Sequence, residues 1–156
     1  MGLPAFFMRR FDEALENARK AVEMNPSFYF ARYVLGDQYI QKGDYSSAIT
    51  ELQIALRMEN SSVVLACLGR AYVAAGETTR ADSILKALSM YPYPPSYDIA
   101  LIYCAMGKKD RAIELLQQAY EEKNDQVIWL KGDPRVDALR SDSRFIALIK
   151  TLGLEK

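Results

Sequence analysis

The sequence predicts an all-α chain of paired helices stacked into a solenoid and closed by a helical cap. Three observations carry that prediction. A glycine recurs at positions 43, 76 and 107, in steps of 33 and 31 residues. Each glycine ends the same pattern: an aliphatic residue, a small residue, a tyrosine three places on and the glycine four places after that (Leu35-Gly36, Tyr39, Gly43; Leu68-Gly69, Tyr72, Gly76; Ile99-Ala100, Tyr103, Gly107). After each glycine an apolar face recurs at spacings of four and three: Ala48/Leu52/Ala55, Ala81/Leu85/Leu88 and Ala112/Leu116/Ala119. Such spacing puts all three residues on one side of a helix.

Taken in chain order, the first element is half a repeat. Ala14/Ala18/Ala21 reproduces the second-helix face within Phe11 to Met24, so residues 1–26 form an N-terminal half repeat. About eight residues precede it, and Pro4 among them prevents a long helix. The face built from Ala14, Ala18 and Ala21 is therefore expected to lack a partner within the chain. Phe6, Phe7 and Phe11 add apolar surface at that end, and a homodimer through these three residues is expected.

Residues 27–124 hold three helix pairs. Small residues at Gly36 and Ala48 let two backbones approach closely, and the tyrosine fills the gap between them. Each glycine takes the left-handed conformation that stops a first helix. Asp44 is placed to cap the next helix. Asn25-Pro26-Ser27 and Tyr91-Pro92-Tyr93-Pro94-Pro95 break the chain between units.

Residues 125–156 read as the cap that a solenoid needs, because an uncovered terminal repeat would show its apolar face to water. Val127-Ile128-Trp129-Leu130 is suited to covering the last repeat. Asp133-Pro134 and Ser141-Asp142 supply helix starts. Phe145, Leu148, Ile149 and Leu152 make a closing amphipathic helix.

By these residues the chain resembles the tetratricopeptide repeat family over roughly positions 9 to 122, which implies a right-handed superhelix. Asn60 stands where a unit-ending proline is expected, and the junction at the proline-tyrosine stretch runs short, so irregular stacking is expected there. The closing region, Trp129-Leu-Lys-Gly-Asp-Pro-Arg and Leu139-Arg-Ser-Asp-Ser-Arg-Phe145, is similar to that of bacterial repeat proteins found in multidomain regulators, with Val136 and Ser143 in place of Phe and Pro.

The resemblance implies a protein-interaction scaffold whose first helices line a concave groove for a peptide or protein segment. Its lining would include Phe30, Tyr33, Asp37, Ile40, Arg70, Val73, Tyr97 and Leu101, a trough with few charges. Asp37 and Arg70 hold equivalent places and are expected to pair. A basic clamp for C-terminal carboxylates, known in one subgroup, is not expected, since Tyr33, Asp37, Cys67 and Asp98 stand at its positions and two acids repel a carboxylate. The alternative reading is a structural homo-oligomerisation module whose groove is filled internally, by its own tail or by a neighbouring chain. An enzyme of unknown chemistry is a remote third.

Composition bounds the remaining classes. Twenty basic residues balance twenty acidic ones, which gives no general pull toward nucleic acid or an anionic membrane. No apolar run approaches a membrane span, and the opening lacks the features of a signal peptide, so a cytoplasmic setting is expected. The absence of histidine removes the commonest general base and metal ligand. No nucleophile and base are spaced to meet; neither catalysis nor a cofactor or metal is expected. Cys67 and Cys104 sit in apolar helices and are expected as buried thiols.

Overall fold

The computed structural model describes residues 10–154. Eight α-helices follow in order among them: α1 (Phe11–Met24), α2 (Tyr29–Lys42), α3 (Tyr45–Met58), α4 (Ser62–Ala74), α5 (Thr78–Ser89), α6 (Ser96–Ala105), α7 (Lys109–Glu121) and α8 (Ser143–Thr151). Two short 3-10 helices, Asp125–Trp129 and Pro134–Leu139, stand between α7 and α8. The described residues contain no strand, and the chain is an all-α solenoid of helical hairpins.

Local chemistry sets the helix boundaries. Asp44 caps α3 by accepting from the Ser47 amide, and Ser61 caps α4 by accepting from the Val64 amide. Gly43, Gly76 and Gly107 have φ of 79°, 78° and 73° at the ends of first helices, a backbone conformation that glycine adopts without a Cβ penalty. Consecutive helices pack as hairpins, α2 on α3, α4 on α5 and α6 on α7, while α2, α4 and α6 lie side by side as the inner tier. Ala48, Leu52, Ala55, Ala81, Leu88, Ala112, Leu116 and Ala119 are all buried. In the second unit Ile84 shares the buried face and Leu85 sits half-buried at its edge. Where α1 packs on α2 and α3 on α4, α5 makes no comparable contact with α6; α6 rests on α4 instead. That offset falls at the proline-tyrosine loop, where Met90 and Tyr93 project into solvent.

Two expectations need correction. The inner face of α1 does have a partner: Ala14 and Ala18 are buried, and Ala18 packs with Val34 and Leu35 of α2. A second helix contacts the first helix of the following unit, and that contact covers this face. Phe6 and Phe7 lie outside the described residues, and Phe11 is half-buried at the start of α1. The second correction concerns Trp129, which remains 53% exposed beside an exposed Ile128. Their segment forms a 3-10 helix of three residues per turn, so Val127 and Leu130 share the inward side and the two residues between them face outward. The cap is instead built from Val127, Leu130, Val136, Leu139, Phe145 and Leu148, all buried in the main core.

Candidate functional site

The inner tier presents one row of side chains from α2, α4 and α6, and the chain's own C-terminal region lies across part of it. The second 3-10 helix packs on α6. It starts where Asp133 caps it, accepting from the Arg135 amide, with Pro134 in the first turn. This places Arg135 against the inner tier, beside Asp37, Arg70 and Asp98.

A buried charge network results. Asp133 holds the Arg135 guanidinium as a fork, with Nε 2.8 Å from Oδ1 and Nη2 2.7 Å from Oδ2. Nη1 of Arg135 lies 3.9 Å from Oδ2 of Asp37 on α2. The other Asp37 oxygen pairs with Nη2 of Arg70 on α4. The Tyr97 hydroxyl on α6 donates to Asp133 at 2.7 Å. Asp98 accepts from Gln126 of the first 3-10 helix at 3.3 Å. Arg140 ties the turn down from outside, donating to the Lys131 and Asp133 carbonyls at 2.7 and 3.0 Å. Tyr33, Ala66, Cys67, Arg70, Asp98, Leu101 and Arg135 enclose a gap too narrow for a water.

Protonation follows from this packing. Burial pushes the Asp98 carboxyl up to about 6, although Arg135, Gln126 and Arg70 pull the other way. Burial would raise Asp133 too, but the Arg135 guanidinium and the Tyr97 hydroxyl hold it below the ordinary carboxylate value. Burial raises the Tyr33 and Tyr97 phenols, with Asp37 adding to the first and Asp133 to the second. Both cysteines are buried and free. Burial lifts the Cys67 thiol to about 12 and the Cys104 thiol to about 11, so neither is a ready nucleophile.

The residues named from the sequence divide into two groups. Tyr33, Asp37, Arg70, Tyr97 and Leu101 are brought together beneath the C-terminal turn, and Tyr97 is fully buried. Phe30, Ile40 and Val73 are half-buried outside that cover. Phe30 sits within an aromatic run, its ring centroid 6.0 Å from Phe28 and 5.5 Å from Tyr33. Sequence reasoning expected few charges here and missed Asp133 and Arg135 as members of this network, reading Asp133-Pro134 only as a helix start. The available signal was an Asp-Pro-Arg triplet shortly after the apolar run Val127-Ile128-Trp129-Leu130.

The described residues hold no group of three His, Cys, Asp or Glu side chains able to bind a metal, and no helix among them is long and apolar enough to cross a membrane.

Comparison with known proteins agrees with the hairpin stacking. Residues 1–63 and 33–95 match one tetratricopeptide repeat model, and residues 97–126 match another. Superkiller complex protein 3 of Homo sapiens is 33% identical over 101 residues, which cover 62% of this chain and 6% of that protein. The chain therefore spans a small fraction of that relative's length. With matches running along most of the solenoid, this chain belongs to the tetratricopeptide repeat family.

Proposed function

We propose that the chain is a protein-interaction scaffold that takes a peptide or protein segment on its concave face. Repeats of this family generally mediate protein–protein interaction, and the relative's name places that protein in a complex. The observation that carries the reading is the run of rings at the start of α2, with Phe30 6.0 Å from Phe28 and 5.5 Å from Tyr33, together with half-buried Ile40 and Val73 on the inner helices. Rigid rings on a preformed helical surface contribute contact area at little ordering cost.

A photo-crosslinking residue placed at Phe30, with a control at the outward Thr50 of α3, tests this directly. Partner adducts concentrated at Phe30 are expected. Adducts distributed equally, or found at Thr50 alone, would remove the groove as the site. A crosslink from Phe30 to a second copy would select the oligomerisation reading, including the homodimer expected from Phe6, Phe7 and Phe11. A place beside a catalytic or DNA-binding domain in a larger bacterial regulator, suggested by the closing region, is a separate proposal that the full reading frame tests.

A further inference from the structure

The joint between α1 and α2 holds a buried polar side chain that nothing satisfies. Gln38 is 1% exposed, and neither atom of its side-chain amide has a hydrogen-bond partner. Its place on α2 puts it in that joint. One turn before it, Val34 and Leu35 pack with Ala18 of α1; one turn after it, Lys42 reaches Asp12 of α1 at 2.6 Å. Residues three and four apart share a helix face, so α1 lies over Gln38 as well. The equivalent residues of the next two repeats are Ala71 and Ile102, both apolar and fully buried. An amide shut away from water without a partner destabilises the contact that buries it. Other features of the joint act in the same direction. Its cluster of Ala18, Val34 and Leu35 stands apart from the main core. No side chain caps the start of α1. Its polar ties to α2, Lys42 with Asp12 and Arg19 with Tyr39, lie in solvent, where such contacts contribute little.

We infer that α1 is a gate: it swings off α2 as a unit while the rest of the solenoid stays folded, and so uncovers the Phe30 side of the aromatic run. The inference rests on the protein-scaffold reading and adds how the site is reached. Leu15 and Val22 of α1 pack against the same cluster as Phe30 and Tyr33. That makes α1 part of the wall that keeps the Phe30 ring half-buried. The hinge is the short loop of residues 25–28, which contains Pro26. Its far side stays fixed, because Arg32 of α2 donates to the Pro26 carbonyl at 3.0 Å and pairs with Glu51 of α3 at 2.7 Å. Gln38 sets how readily the gate opens. Once α1 leaves, the amide meets water and the penalty of burying it is gone. A small apolar contact and exposed ties are the features of a segment that opens ahead of the whole fold.

Native-state amide exchange of the full chain, followed by mass spectrometry in wild type and in Gln38→Leu, tests the gate. In wild type, α1 is expected to exchange at least about tenfold faster than α4, at a rate that low urea leaves unchanged. Gln38→Leu keeps the bulk of the side chain and removes the amide. It should slow exchange in α1 about tenfold and leave α4 to α7 as they were. The photo-crosslinker at position 30, used in the cells that make the protein, supplies the functional readout. Its partner adducts should fall about tenfold in Gln38→Leu, because the open form that reaches the partner becomes rarer. Should Gln38→Leu fail to fold, Gln38→Met and the wild-type comparison of α1 with α4 carry the same test. Two results would overturn the proposal: α1 exchanging no faster than α4, or an apolar residue at position 38 that leaves α1 exchange unchanged or faster. Slowed α1 exchange with undiminished adducts at position 30 removes the gate and leaves the scaffold reading intact. No adduct at position 30 in either protein removes both.

Discussion

Asp37 and Arg70 stand 33 residues apart, at the same place in successive repeats, and form an ion pair buried between α2 and α4. Both side chains are about 5% exposed. Burial changes the energetics. A partly exposed pair contributes about 0–1 kcal/mol, whereas removing one member of a buried pair strands the other charge and costs about 3–5 kcal/mol. Asp37 is the more costly loss, because it faces Arg135 as well as Arg70. Asp37→Ala is therefore expected to lower stability by about 3–5 kcal/mol in urea unfolding, and Arg70→Ala by less, since Asp37 keeps Arg135. The double replacement Asp37→Leu with Arg70→Leu should cost less than Asp37→Ala alone. A double change as costly as the sum of the singles would show that the two residues are not coupled.

The close helix contacts give a second ordering. A Cβ added at Gly36 would lie 2.6 Å from Cγ of Leu52, while one added at Gly69 would meet Cδ1 of Ile102 at 2.9 Å. The first contact is near the root of a buried side chain and the second is at a flexible end. Gly36→Ala is expected to cost about 1–3 kcal/mol through overpacking, and Gly69→Ala clearly less. Thermal melts of the two variants at equal concentration check the order, and a larger loss at Gly69 would contradict it.

The cap offers a contrast within two adjacent residues. Trp129 is half-exposed and Leu130 is fully buried. Trp129→Ala is expected to stay within about 1 kcal/mol of wild type, whereas Leu130→Ala should lose about 2–5 kcal/mol. Truncation before Asn124 removes Leu130, Val136, Leu139, Phe145 and Leu148 together and should leave an aggregating or unfolded chain. Denaturant titrations followed by far-UV circular dichroism measure all three; emission of Trp129 alone would under-report the transition, because this tryptophan is already wet when folded.

The repeat was legible because its signals are local. Gly43, Gly76 and Gly107 act through backbone conformation, and Ala48, Leu52 and Ala55 act through helix periodicity, both of which are written in spacing. The Asp37–Arg70 pair was also readable, since equivalent positions in stacked repeats become neighbours. Arg135 was not. Its role depends on how a short 3-10 turn folds back across α6 from about 36 residues beyond Tyr97, and no period in the sequence encodes that return. Trp129 was misjudged for a related reason: four apolar residues in a row carry no phase, and the choice of a 3-10 turn decides which two point inward. The covered face of α1 was misjudged by looking for its partner upstream, when Val34 and Leu35 of α2 supply it.

The titration of Asp98 provides the last prediction. Its carboxyl is raised to about 6 by burial, against an ordinary value of 3.8. Between those values the folded chain holds a proton that the unfolded chain has released, so folding is favoured by protonation. The stabilising contribution of protonated Asp98 is fully present below about pH 3.8 and is lost as pH rises through about 6, leaving an ionised group at pH 7 that costs on the order of 3 kcal/mol. Asp142 acts in the opposite direction. The Arg144 side chain and amide hold it down at about 2, so its contribution is present above 3.8 and lost as pH falls. The two effects separate by substitution. Asp98→Asn keeps an oxygen for the Gln126 amide and removes the charge, so it should match wild type near pH 4.5 and be more stable at pH 7.5. Asp142→Asn should be less stable than wild type at pH 7.5, with the gap closing toward pH 2. Urea midpoints across that range decide the matter. If Asp98→Asn tracks wild type in parallel at every pH, then the Asp98 carboxyl titrates alike in the folded and unfolded chain, and Arg135 together with Gln126 and Arg70 offsets its burial.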